Sequence, residues 1–316
     1  MIGIILMSYG GPERIDQVES FFTQLLQGRK PSAEQVEALT NQFRSLGTVD
    51  PLRMYTERQA HMLQQVLHRN GVANVKVYFA YKNGTPFIGE TIGRMLKDKV
   101  SQIVTLPLNP FYSKTGVGSY QREVETELEK AKASTPVFHI ERWYQHEGYE
   151  EVMVRRVSEA LQWLPQTSSS KRATIVFTTH SLPGSSEQHQ AYITQLSELA
   201  QQIANKLNVQ NWRMAYRSAR QKQGWLGPDI KDVIFEEATN GQNGLVVCDL
   251  LSVSENVEVL QELRTECQEH AKDAGIEYVC ADFPNDSADF MFALADIVEA
   301  KLKLIGSLKD PQKVGK

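Results

Sequence analysis

Short apolar runs rich in β-branched residues punctuate the chain at residues 2–7, 74–80, 102–108 and 136–140, and again at 173–179, 212–217, 244–249 and 276–281. Between them the apolar positions recur at the three- and four-residue intervals of helices. Such alternation predicts parallel strands joined by helical crossovers, because a parallel pair needs a long connection. The expected fold class is therefore α/β, with two four-stranded doubly wound halves.

The polar, proline-interrupted, serine-rich stretch 163–171 has linker character. It divides the chain into an expected N-terminal domain at 1–163 and a C-terminal domain at 172–286. A last helix at 287–304, carrying Phe290, Phe292, Leu294, Ile297, Val298 and Leu302, is expected to pack back on the body. About sixty-five residues separate the first strand from the second, too many for one crossover helix. Ile15, Val18, Phe21, Phe22, Leu25 and Leu26 mark one amphipathic helix there. Val36, Leu39 and Phe43 mark a second, and Met54, Ala60, Leu63 and Val66, after Pro51, a third. This insertion is expected to overhang the carboxyl edge of the first sheet and to form one wall of a cleft.

Candidate chemistry sits at strand ends, where open α/β sheets bind ligands. Thr178-Thr179-His180-Ser181-Leu182-Pro183 closes the fifth run, and an imidazole there can take a proton or bind a divalent metal, or simply cap the strand. Glu258, Glu262 and Glu266 are spaced by four and would share one α-helical face about 6 Å apart. That row, with Glu255 before it, reads either as a solvated acidic face or as a path outward from a cleft for a hydrated cation or protons. Phe111, Tyr112 and Ser113 follow the third run, in a mix of aromatic and small residues that suits a flat apolar ligand or a packed surface loop. Trp225 lies in a tight turn ending at Asp229, a good helix cap. Tyr9, at the end of the first strand, holds the place in the first half that His180 holds in the second.

Composition narrows the choice. With 23% charged residues and a net charge of −4, the chain carries neither a basic stripe for nucleic acid nor an acidic tail. Cys248, Cys267 and Cys280 form no CxxC pair and fit core thiols of a reducing compartment. The first strand starts at once without a basic leader, and no run approaches the roughly 18 to 20 apolar residues of a membrane span. A cytoplasmic, soluble protein working on small molecules is expected. Gly10-Gly11-Pro12 lacks the spacing and lysine of a phosphate loop, and no GxSxG elbow supports Ser181 as a nucleophile.

Seven segments together resemble the ferrochelatases, most closely the Gram-positive type that acts on coproporphyrin. They are Met7-Ser8-Tyr9-Gly10-Gly11-Pro12, Gly28-Arg29-Lys30-Pro31, Asp50-Pro51-Leu52 with Thr56-Glu57-Arg58-Gln59-Ala60, Pro110-Phe111-Tyr112-Ser113, Thr179-His180-Ser181-Leu182-Pro183, Trp225-Leu226-Gly227-Pro228-Asp229 and Val257-Glu258-Val259-Leu260. The resemblance implies two similar Rossmann-like domains of chelatase type with a porphyrin cleft between them, and insertion of ferrous iron into coproporphyrin III on the way to haem. By the same resemblance His180 takes pyrrole protons or binds iron, and Glu258 faces it across the porphyrin. Glu262 and Glu266 continue outward as metal positions. Tyr9 ligates the iron of the product, and Lys82 pairs with a propionate. Phe111, Tyr112, Ser113 and Trp225 complete the porphyrin-binding set. Iron is a substrate, no cofactor is permanently bound, and the cysteines that hold an iron–sulfur cluster in some relatives are missing; a monomer is expected.

Three segments depart from the family pattern. Asp249-Leu250-Leu251-Ser252 and Glu255-Asn256 stand where a Pro-Val-Gly-Phe stretch and an acidic residue followed by histidine are usual. Tyr216-Arg217-Ser218 replaces Trp-Gln-Ser, and Phe111 takes the place of His or Gln. These changes leave open a chelatase for another metal or tetrapyrrole, and a porphyrin or haem carrier derived from the enzyme.

Overall fold

The computed structural model describes residues 1–26, 28–45, 50–165, 173–219 and 224–308. They fall into two compact units, Met1–Gly148 with Asn285–Lys316, and Tyr149–Pro284.

The first unit holds a four-stranded parallel sheet in the order β2-β1-β3-β4, formed by β1 (Ile2–Ser8), β2 (Val75–Tyr81), β3 (Gln102–Pro107) and β4 (Val137–His139). β1 is buried along its whole length, as a central strand covered on both faces must be. Its register sets Ile4 beside Val77 on one side and Val104 on the other. Among the described residues the long excursion after β1 contains a 3-10 turn, Ile15–Gln17, and three α-helices, α1 (Val18–Leu25), α2 (Ala33–Ser45) and α3 (Pro51–Arg69). α3 starts where it does because the Asp50 side chain accepts from the Leu52 amide while Pro51 supplies the preset φ of a first helical residue. Two crossover helices follow, α4 (Ile88–Lys97) and α5 (Val117–Lys130).

The second unit opens with α6 (Glu147–Trp163) and repeats the scheme with a sheet in the order β6-β5-β7-β8. Its strands are β5 (Ala173–His180), β6 (Trp212–Arg217), β7 (Gly244–Asp249) and β8 (Glu277–Cys280), all parallel. α7 (Gln190–Lys206) and α8 (Ile230–Thr239) are its first crossovers, and the Asp229 carboxylate caps α8 through the Lys231 amide. A composite helix then runs as α9 (Val257–Val259), a π-helical stretch Leu260–Glu266, and α10 (Cys267–Ala274). Val259, Leu263, Cys267 and Ala271 on it join Val176, Leu245 and Val247 of the sheet in one core cluster.

One boundary differs from the sequence-based expectation. The division falls within the first turn of α6, not after the helix, because the rest of α6 is tied into the second unit: the Tyr149 hydroxyl donates to the Leu250 carbonyl, and Lys206 pairs with Glu150 at 3.2 Å. Most of the expected linker, residues 166–172, lies outside the described residues. The terminal helix α11 (Ala288–Leu304) belongs to the first unit. It buries Phe290, Met291, Leu294, Val298 and Leu302, and Gln59 of α3 donates to the Asn285 carbonyl just ahead of it at 2.6 Å.

Candidate active site

In both sheets the chain leaves the two central strands in opposite directions, β1 and β3 in one and β5 and β7 in the other. That reversal opens a crevice beyond their carboxyl ends. In the second unit His180 ends β5, Asp249 ends β7, and Arg217 ends β6 directly beside His180 in register. Asp249 is in register with Thr178, two residues before His180. Side chains alternate along a strand, so His180, Arg217 and Asp249 all project to the same face of the sheet.

The loop after β5 is fixed by the turn that carries Trp225. Ser181 Oγ donates to the Leu226 carbonyl at 2.6 Å, the Leu226 amide donates to Leu182, and the Gly184 amide to Gly224. Gly184 has φ +121°, a backbone conformation that residues with a side chain rarely adopt, so glycine suits it. These bonds set the indole of Trp225 edge-on to the His180 ring, with centroids 6.3 Å apart.

His180 Nδ1 lies 2.5 Å from the Ser181 carbonyl oxygen, an atom that can only accept, so Nδ1 carries a proton. Nε2 lies 3.0 Å from Glu258 Oε1. Burial pushes the imidazolium pKa down, yet the hydrogen bond and charge of Glu258 outweigh it and the net shift is upward. For Glu258 burial raises the pKa, and the His180 hydrogen bond together with the Arg217 charge overcomes this and lowers it to about 2. Both shifts favour placing the shared proton on the imidazole, as an imidazolium–carboxylate pair. His180 and Glu258 are in direct contact within the second unit: Glu258 sits in the first turn of the helix that starts at Val257, and the chain between Asp249 and Val257 brings it against the end of β5.

Glu262 and Glu266 do not extend a free acidic row. Glu262 is buried, whereas the Glu258 side chain before it is 47% exposed, so exposure does not rise outward along the row. Its carboxylate accepts from the Ser218 amide at 2.7 Å and the Ser218 hydroxyl at 2.9 Å, and burial raises its pKa. Glu266 is paired with Lys231 and accepts from Gln261. The physical reason is the π-helical stretch: with i→i+5 bonding, a spacing of four no longer has its α-helical meaning. Among the described residues no three His, Cys, Asp or Glu side chains converge on a resident metal site.

The first-unit candidates are placed differently from one another. Tyr9 is 51% exposed beyond the end of β1. The next residue, Gly10, has φ +86°, with Asn83 O only 2.9 Å from where a Cβ would be. Lys82 already has a partner, lying 3.2 Å from Glu123 and over the ring of Tyr120. Phe111 is fully buried and stacked on Tyr144 with centroids 5.4 Å apart, packed as a core residue. Its neighbour Tyr112 is exposed, and Ser113 Oγ accepts from the Gly116 amide in the turn that starts α5.

Sequence reasoning passed over Arg217 and Asp249 as site residues. Arg217 Nε donates to Asp249 Oδ2 at 2.6 Å, while Asp249 Oδ1 accepts from the amides of Leu251 and Ser252. The available signal was a pair of opposite charges ending two apolar runs that had to be buried strands. Asn256, where a histidine is usual, caps α9 by accepting from the Val259 amide at 3.1 Å.

Residues 1–302 match the ferrochelatase family model. The chain belongs to the ferrochelatase family. The coproporphyrin III ferrochelatase of Bacillus subtilis (strain 168) is 31% identical to this ferrochelatase-family chain, over 95% of it and 98% of the relative. That of Geobacillus kaustophilus is 30% identical, covering 94% of each. A ferrochelatase of Herpetosiphon aurantiacus is 30% identical over 93% of this chain and 97% of its own. Among solved structures, SirB from Bacillus subtilis with Fe3+ superposes with a TM-score of 0.60 at 12% identity, covering 98% of both chains. That likeness speaks for the fold, a chelatase-type pair of Rossmann-like sheets.

Proposed function

We propose that the protein inserts ferrous iron into coproporphyrin III, with iron and porphyrin as substrates, in the haem-forming pathway of a cytoplasm. The observation that carries this reading is the 3.0 Å contact between His180 and Glu258, set at the strand reversal of the second sheet in a ferrochelatase-family chain. Insertion exchanges one dication for two pyrrole protons, and a flat macrocycle shields its nitrogens, so binding energy must also bend the ring. His180 can act as base or ligand only after its Nε2 proton has left. A dication reaching Glu258 supplies the drive, because it competes with the imidazolium for the same carboxylate, and the half-exposed Glu258 gives the proton a way to water. Tyr9 is assigned to the iron of the product, Tyr112, Ser113 and Trp225 to the porphyrin, and Lys82 to a propionate once released from Glu123. Glu262 and Glu266 are assigned to metal delivery, which requires them to give up Ser218 and Lys231. The working form is a monomer.

An anaerobic assay with ferrous iron and either coproporphyrin III or protoporphyrin IX tests this. Many turnovers with coproporphyrin III, and fewer with protoporphyrin IX, are expected. Tight stoichiometric binding of the porphyrin without metallation would replace the enzyme by a carrier.

A further inference from the structure

Arg217 has no task in the reaction as read above, yet it is the largest fully buried side chain among the described residues. Its Nε is bonded to Asp249, and Nη2 lies 3.4 Å from Ser252 Oγ. Nη1 is buried without a hydrogen-bond partner and lies 3.6 Å from Glu258 Oε2. Glu258 is thus bracketed by two cations, His180 at Oε1 and Arg217 at Oε2. They differ in one respect: the imidazolium can shed its charge, whereas a guanidinium does not.

We propose that Arg217, anchored by Asp249, is a positioning residue that keeps Glu258 from holding a divalent cation tightly, so that metal is passed on and not retained. The proposal rests on the reading that Glu258 meets the incoming metal. A dication at Glu258 feels twice the repulsion from Arg217 that the single proton charge on His180 feels at equal distance. Removing Arg217 therefore strengthens the hold of Glu258 on a dication. Asp249 offsets part of the Arg217 charge, but its oxygens are taken up by Arg217 Nε and by two backbone amides.

The test uses the full chain with R217Q/D249N, which removes both members of the buried pair and leaves no uncompensated charge. Zn2+ is titrated in the absence of porphyrin, and steady-state kinetics are run anaerobically with ferrous iron. The Kd for Zn2+ and the KM for iron are expected to fall about tenfold while the KM for porphyrin stays within about twofold. Adding E258Q should abolish the Zn2+ gain. R217K, which keeps the charge but loses the planar fork, should leave the Zn2+ Kd within about threefold of wild type. An unchanged or weaker Zn2+ affinity in R217Q/D249N, or a tightening in R217K as large as about tenfold, overturns the proposal. Because the titration needs no turnover, it decides the role of Arg217 separately from the assay: a wild type that binds Zn2+ but never metallates a porphyrin defeats the functional reading, and the effect on Zn2+ still stands or falls alone.

Discussion

His180 shows how far one residue's chemistry depends on atoms that are remote in sequence. Its neighbours along the chain fix only the Nδ1 proton, through the Ser181 carbonyl; Glu258, seventy-eight positions on, decides the Nε2 proton. The pair also couples to stability. Glu258 has a lowered folded pKa, so its contribution is present above its ordinary value of 4.5 and is lost as pH falls toward about 2. His180 has a raised folded pKa, so its contribution is complete below 6.5 and is lost as pH rises through the folded value. The Tm difference between wild type and E258Q should accordingly be greatest between pH 4.5 and 6.5 and shrink at alkaline pH. A difference that grows steadily from acid to alkaline pH would show that the proton does not rest on the imidazole. The sequence made His180 and Glu258 visible because they sit in recognisable strings. It left Phe111 ambiguous, since an aromatic residue at a strand end reads alike whether it points to a ligand or, as here, into the core against Tyr144.

At the scale of elements, the eight strands and most helices were legible because apolar periodicity reports burial, and burial dominates the choice between strand and helix. The π-helical stretch Leu260–Glu266 was not, because a change from i→i+4 to i→i+5 bonding leaves the apolar pattern nearly intact. Its effect on the site is direct: it presents the Glu262 carboxylate to Ser218, a residue held at φ +57° just past the end of β6. Deleting the exposed Thr265 should let the stretch relax to an α-helix and turn the residues beyond it. Helix content by circular dichroism should be unchanged or slightly higher, while metallation should fall by about tenfold or more, since a misplacement near 1 Å can cost up to about a hundredfold. Full activity in that variant would mean that the π geometry serves packing alone.

Across the whole molecule, one strand order is used twice, and the first unit differs from the second in its three-helix excursion after β1 and in being closed by the chain's far end. The repeat was readable from the two sets of four apolar runs. Assignment of α6 and α11 was not, because amphipathic helices report that they pack and not on what. Ending the chain after Pro284 removes α11, whose Phe290, Leu294 and Val298 are core residues of the first unit. Amide exchange should then quicken in β1 and β3 by several orders of magnitude more than in β5 and β7; uniform loss across both sheets would contradict the division. No helix among the described residues is long and apolar enough to cross a membrane. The central claim is that the His180–Glu258 pair meets the metal, and the most direct measurement is anaerobic iron insertion into coproporphyrin III by H180A with its fold verified by circular dichroism. The account predicts porphyrin binding close to wild type with metallation lost to background. Near-normal turnover by that variant would contradict it.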